Sequence, residues 1–92
     1  MKIIKSTVKG KKWTAIFNDG KKVQFGAEGY EDYTLHKDKK RRANYRSRHS
    51  KDLTTESNKI GRGAGALSYY ILWGNSTDIK KNIRDYKKRF NV

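Results

Sequence analysis

Apolar positions recur along the chain in three rhythms. From Trp13 to Phe17 they alternate, with Trp13, Ala15 and Phe17 on one side. That is the period of a half-buried strand. Asn18-Asp19-Gly20 follows, and an Asp-Gly pair supplies the positive φ angles of a tight hairpin loop. Val23 and Phe25 then resume the alternation on a return strand. Lys2 to Val8 reads as a weaker first strand, joined through Lys9-Gly10. Residues 2–26 thus predict a small antiparallel β-meander of two or three strands. Lysines at its strand ends and on its opposite face discourage edge-to-edge association.

Gly26-Ala27-Glu28-Gly29 breaks the sheet, and 27–35 reads as an acidic-aromatic loop. Tyr30 and Tyr33 are expected there as core plugs with hydroxyls near the surface. The pattern then turns helical over 36–50, with Thr34 and Asp38 as alternative start signals. Tyr45 is the one sizeable apolar side chain inside this helix. It is therefore expected to lie on the domain through Leu35, Tyr45 and the aliphatic stems of its long residues. Residues 51–64 read as a loop, with Leu53 and Ile60 as anchors; such length in a small domain suggests function or mobility.

The third rhythm covers 65–90, a helical pair. Ala64 to Trp73 is apolar nearly all round, which predicts a buried helix. Gly74 reads as its left-handed stop. Ser76 or Thr77 is expected to cap the last helix, with Asp78 complementing its dipole. Ile79, Ile83, Tyr86 and Phe90 form one apolar stripe on it. The whole reads as a single α+β domain: the meander, then three helices, the middle one buried.

Charge changes this picture from a fold into a surface. The 92 residues carry 23 Lys and Arg against 9 Asp and Glu, a net +14. The excess is +3 over 1–35, +6 over 36–52, +1 over 53–63 and +4 over 64–92. It therefore sits on the two amphipathic helices rather than on a tail. A field of this size steers a protein toward a polyanion, and nucleic acid is the expected partner. Backbone contact with phosphates is expected rather than base readout, because no zinc finger, leucine zipper or RNP-type pattern is present. The candidate contacts on the basic helix are Lys37, Lys39, Lys40, Arg41, Arg42, Arg46 and Arg48. Arg62 joins them from the loop. Lys80, Lys81, Arg84, Lys87 and Lys88 join them from the last helix. Lys37, Lys39 and Lys40 are the firmer phosphate contacts, while Arg41, Tyr45 and Arg48 are read as also holding the fold.

Catalysis has little to stand on. There is no cysteine, and the two histidines, His36 and His49, are read as hydrogen-bonding residues at helix ends. No metal site and no cofactor are expected, and the chain is not read as an enzyme. Gly61-Arg62-Gly63-Ala64-Gly65 leads into a helix and is a candidate for one backbone phosphate contact. It lacks the strand and the Gly-Lys-Ser/Thr of a Walker loop. No stretch approaches the length of a membrane span, and the N-terminus does not read as a signal peptide.

Phe25-Gly26-Ala27, Gly29-Tyr30, Asp32-Tyr33-Thr34, His36-Lys37-Asp38, Arg41-Arg42, Tyr45 and Arg48-His49 form a spaced pattern. It continues through Gly65-Ala66-Leu67-Ser68, Leu72-Trp73, Ile83, Tyr86 and Phe90. The pattern resembles a family of short, basic, uncharacterised proteins of nucleocytoplasmic large DNA viruses of algae and amoebae. A shorter form of its Phe-Gly to Arg-His segment is similar to stretches of tailed-phage head-associated proteins. The resemblance implies a viral, virion-associated protein, present in host cytoplasm or nucleus during infection. With the charge, it gives the expected function: non-specific binding of double-stranded DNA through phosphates, aiding genome condensation or packaging. DNA is favoured over RNA. Viral capsid or core proteins are further partners, and self-association is open. The alternative is a minor capsid protein whose basic face bridges acidic surfaces of coat subunits.

Overall fold

A computed structural model describes residues Met1–Val92. Its sheet is built from β1 (Lys2–Lys5), β2 (Lys11–Ile16) and β3 (Lys22–Ala27), antiparallel and in sequence order. Trp13 pairs with Phe25 and Ala15 with both Ile3 and Val23. The alternating set therefore shares one face, and Ala15, Phe17 and Phe25 enter the core. Thr14 is also buried. Its hydroxyl donates to Gln24 Oε1 at 2.6 Å, and Ser6 Oγ donates to the same oxygen at 2.5 Å. The hairpin turn forms as expected: Gly20 N–H donates to Phe17 O at 2.9 Å, and Gly20 takes φ 88°. Only a residue without a Cβ adopts that angle freely.

After the sheet come α1 (Tyr33–His36), α2 (Lys39–His49), α3 (Glu56–Lys59), α4 (Ala64–Leu67) and α5 (Ile79–Phe90). A 3₁₀ turn, Ser50–Thr54, follows α2. A π-helical turn, Ser68–Leu72, extends α4 and closes with Trp73 N–H on Ser68 O at 3.0 Å. The α4–π segment is the buried middle helix, contributing Ala66, Leu67, Ile71 and Leu72 to the core. The fold is thus the expected α+β arrangement, with short helical turns filling much of what read as loop.

Local details depart from the expectations for identifiable reasons. The basic helix begins at Lys39, because Lys37 adopts a left-handed φ of 58° and breaks it from α1. Asp32, buried, caps α1 by accepting from Thr34 N–H at 3.0 Å and pairs with Lys12 Nζ at 2.9 Å. Asp78, not Ser76 or Thr77, caps α5. Gly74 is not left-handed; a Cβ there would lie 2.1 Å from Tyr70 O, so close approach demands the glycine. Leu35 is 61 % exposed and Ile60 51 % exposed, so neither anchors its segment, whereas Leu53 packs against the core.

On α5, Tyr86 is buried and its hydroxyl donates to Gly61 O at 2.6 Å. Asn82, one turn away on the same side, is equally buried. Its amide donates to Ile71 O at 2.8 Å and Ser76 O at 2.7 Å, and its Oδ1 accepts from Ser76 N–H at 3.1 Å. A buried amide with all these partners fixes the angle at which α5 meets the π-turn.

Candidate nucleic-acid interface

Helix α2 has three sides, and its basic residues divide among them. Asp38 starts it, accepting from Lys40 N–H at 2.9 Å and Arg41 N–H at 3.2 Å. At about 100° per residue, Arg42, Tyr45, Arg46 and His49 then point toward the buried helix. Arg41, Asn44 and Arg48 fall on the side facing the β3 edge, and Lys39 and Lys40 face solvent.

The inward side carries structure. A helix leaves its last carbonyls without partners, and the α4–π segment ends at Trp73 inside the molecule. Arg46 Nη1 donates to Tyr69 O at 3.2 Å and to Trp73 O at 2.8 Å. Arg42 Nε donates to Gly74 O at 2.7 Å and its Nη2 to Asn75 Oδ1 at 2.9 Å. The two guanidiniums also lie over aromatic rings, Arg46 4.1 Å from the Tyr69 centroid and Arg42 5.5 Å from that of Tyr33. Cations at a helix C-terminus also complement its dipole. Partial burial pulls the Arg46 guanidinium below its ordinary value, with Arg42 and Arg89 adding like-charge repulsion. Tyr45 completes the contact, stacked on Trp73 at 4.2 Å and 5° and on His49 at 4.3 Å and 30°. Burial raises its phenol above the ordinary value.

These positions revise the candidate set. Arg42 and Arg46 are caps of a neighbouring helix rather than free cations. Arg62 is likewise engaged, paired with Asp19 and lying 4.6 Å from the Phe17 ring centroid. At the helix start beside it, Ala66 N–H is already taken, donating to Asn58 Oδ1 at 2.9 Å. The Gly61–Gly65 stretch is therefore packed as a joint, with Gly61 against Phe90 and Gly63 against Asn58. Arg41 and Arg48, expected to help hold the fold, make no side-chain hydrogen bond and are exposed.

Both histidines bond at helix ends. His36 Nδ1 accepts from Asp38 N–H at 2.9 Å, and His49 Nδ1 lies 2.8 Å from Asp52 Oδ2. Tyr33 is buried as a plug, but Tyr30 is 74 % exposed.

What remains is a large free positive surface. Of the 23 Lys and Arg, only Lys12, Arg42, Arg46 and Arg62 form side-chain hydrogen bonds within the chain. Lys37, Lys39, Lys40, Arg41 and Arg48 are exposed and form no ion pair, and the same is true of Lys80, Lys81, Arg84, Lys87 and Lys88 of α5. Arg89 joins the two helices, 4.5 Å from the Tyr70 ring centroid beside Arg46, itself 5.9 Å from the same ring.

The sheet, the connector and α2 are also the part of the chain with known kin. Residues 1–49 match a family of unknown function, DUF5754. The chain belongs to this family. The DUF5754 segment ends at the last residue of α2, so the arginines that cap the π-turn lie inside it and the carbonyls they cap lie outside. None of the curated proteins searched, and none of the solved structures, matches the chain.

Asp38 gives this interface a pH dependence. The backbone N–H groups of Arg41 and Lys40, with the neighbouring His36 and Arg41, hold its carboxyl below the ordinary aspartate range. A carboxyl depressed in the folded state adds stability above its unfolded value and loses it as pH falls through the folded one. The melting temperature is therefore expected to vary little from pH 7 to 5 on account of this group, and to drop below about pH 4. Asp38→Ala should flatten part of that acid slope, as read by thermal melts followed by circular dichroism. An unchanged slope would rule out the cap as its source.

Proposed function

We propose that the chain is a viral, virion-associated basic protein that binds double-stranded DNA non-specifically through its phosphates. In this reading it aids condensation or packaging of the genome and is not an enzyme. The observation that supports it is the separation of duties among the cations. Arg42, Arg46, Arg62 and Lys12 are engaged within the fold, and the remaining positive side chains of α2 and α5 form no ion pair. A surface that the fold does not need, and that salt bridges do not neutralise, suits a regular row of phosphates. The viral and virion assignment rests on the sequence resemblance. In this reading the protein resides in the particle, and in host cytoplasm or nucleus during infection.

Duplexes of unrelated sequence should bind with equal affinity. If about 6–10 cations meet phosphates, affinity should fall by roughly 10³–10⁵ between 50 and 200 mM salt. Fluorescence anisotropy with labelled duplexes measures both. A salt-independent or sequence-selective result would reject non-specific phosphate binding. Fractionated virions address the location, since a genome-binding protein follows the DNA core and not the shell.

One surface favours the second reading, a minor capsid protein bridging acidic coat surfaces. A groove of about 600 Å³ lies beside the β1–β2 loop. There Val8, 46 % exposed, and Leu35 sit beside Trp13 among Lys5, Lys9 and Lys11. Such a mixture fits an acidic protein segment with an apolar tip. Recovery with the shell would favour it.

A further inference from the structure

Between α2 and the β3 edge lies a groove of about 880 Å³, within the roughly 300–1,000 Å³ usual for ligand clefts. Its floor is built from small or apolar residues, among them Gly26, Gly65, Ala64 and Leu72. Arg41 and Arg48 line it from α2, and Lys11 lines it from the sheet. None of the three has a side-chain hydrogen bond or ion pair within the chain. The acids nearby are mostly occupied: Asp32 by Lys12 and Asp52 by His49, leaving Glu31. Its lining cations, Lys11, Lys12, Arg41 and Arg48, thus outnumber its carboxylates, Glu31, Asp32 and Asp52, by one.

Its aromatic residues are not equivalent. Tyr45 and Trp73 line the groove, but Tyr45 is stacked between Trp73 and His49, and Trp73 has His36 at 5.1 Å. Their faces are used. Tyr30 also lines the groove, is 74 % exposed, and has no ring or guanidinium of the chain against it. The turn after β3 holds it there, with Tyr30 N–H on Ala27 O at 3.3 Å and Gly29 at φ 86°. An exposed tyrosine face beside free cations is the pairing that binds unpaired bases, because every base has a π-face and every nucleotide a phosphate. Asn44, on the groove side of α2, adds a free amide that both donates and accepts.

We propose that this groove takes an unpaired base of a single-stranded polynucleotide, with Tyr30 as the stacking platform and Arg41, Arg48 and Lys11 on the adjoining phosphates. The proposal rests on the nucleic-acid reading above and adds a second binding mode to it. Duplex meets the outer lysines of α2 and α5, and single strand enters on the other side of α2.

The test compares oligodeoxyuridylate and oligouridylate of about ten nucleotides with a blunt duplex, in anisotropy titrations of the full chain. Tyr30→Ala should weaken single-strand binding at least about fivefold, the lower end of one stacked base, and leave duplex binding unchanged. Tyr30→Phe should retain both. Loss with either oligonucleotide supports the slot, and the pair shows whether the sugar matters. Equal effects of Tyr30→Ala on single strand and duplex, or none on either, overturn it. Wild-type protein that binds duplex but no single strand overturns this inference alone. Protein that binds neither overturns the nucleic-acid reading as well.

Discussion

Replacing Arg42 and Arg46 together with glutamine should lower the melting temperature by about 15–30 °C while leaving the outer cations of α2 untouched. The reasoning starts from the end of the π-turn. Tyr69 O, Trp73 O and Gly74 O receive charged donors from α2, and hydrogen bonds to charged groups contribute about 1.5–3 kcal/mol each. Removing the guanidiniums strands carbonyls in a partly buried site and takes away the cover over Tyr69 and Tyr33. These bonds act as one unit, so their losses do not add in full. About 3–5 kcal/mol is the expected sum, and each kcal/mol moves the midpoint by about 4–8 °C in a domain of this size. Thermal denaturation by circular dichroism reads it. Lys39→Gln with Lys40→Gln is the control, since both side chains are exposed; it should melt with wild type. A double arginine variant that kept its stability but lost DNA affinity would reverse the assignment.

The second large effect is on DNA. Lys80, Lys81, Lys87 and Lys88 replaced by glutamine should reduce the slope of log affinity against log salt by about 3–4, at about 0.9 per phosphate contact. Affinity for duplex at low salt should drop at least about tenfold. Stability should hold, because α5 is fixed from its other side by Ile79, Asn82, Ile83, Tyr86 and Phe90. Salt titrations of the variant and the wild type provide the comparison. An unchanged slope would remove α5 from the interface and confine phosphate contact to α2.

The sequence was most informative where a short-range rule acts. Alternation from Trp13 to Phe25 and the Asp19-Gly20 turn were enough for the meander, because side-chain period and hairpin geometry are local. The stripe on α5 and the all-round apolar run before Trp73 placed those helices for the same reason. The candidate interface was legible as charge but not as a division of labour. Arg42 and Arg46 look like Arg41 and Arg48 in composition, and their partners are backbone carbonyls 23 to 32 residues away, which no residue type announces. The helical wheel held a clue, since Arg42, Arg46 and His49 share a side with the one aromatic of α2. Asn82 was hidden similarly, a polar residue on an apolar stripe. Tyr30, expected as a core plug, is instead exposed, because a tyrosine between Gly29 and Glu31 reads equally as buried or exposed until the turn that holds it is seen.

The capping of the π-turn by α2 also orders events during synthesis. The three strands pair over short distances and can close early. Helix α2 emerges with only Tyr45 and its arginine stems to lean on, and it gains its fixed seat when residues 69 to 75 have followed it out. Until then Arg42 has only the Tyr33 ring to lie on, and the partners of Arg46 have yet to be made. Residues 69 to 75 thereby work as an intramolecular clamp, withdrawing two arginines from the pool open to polyanions once they have packed.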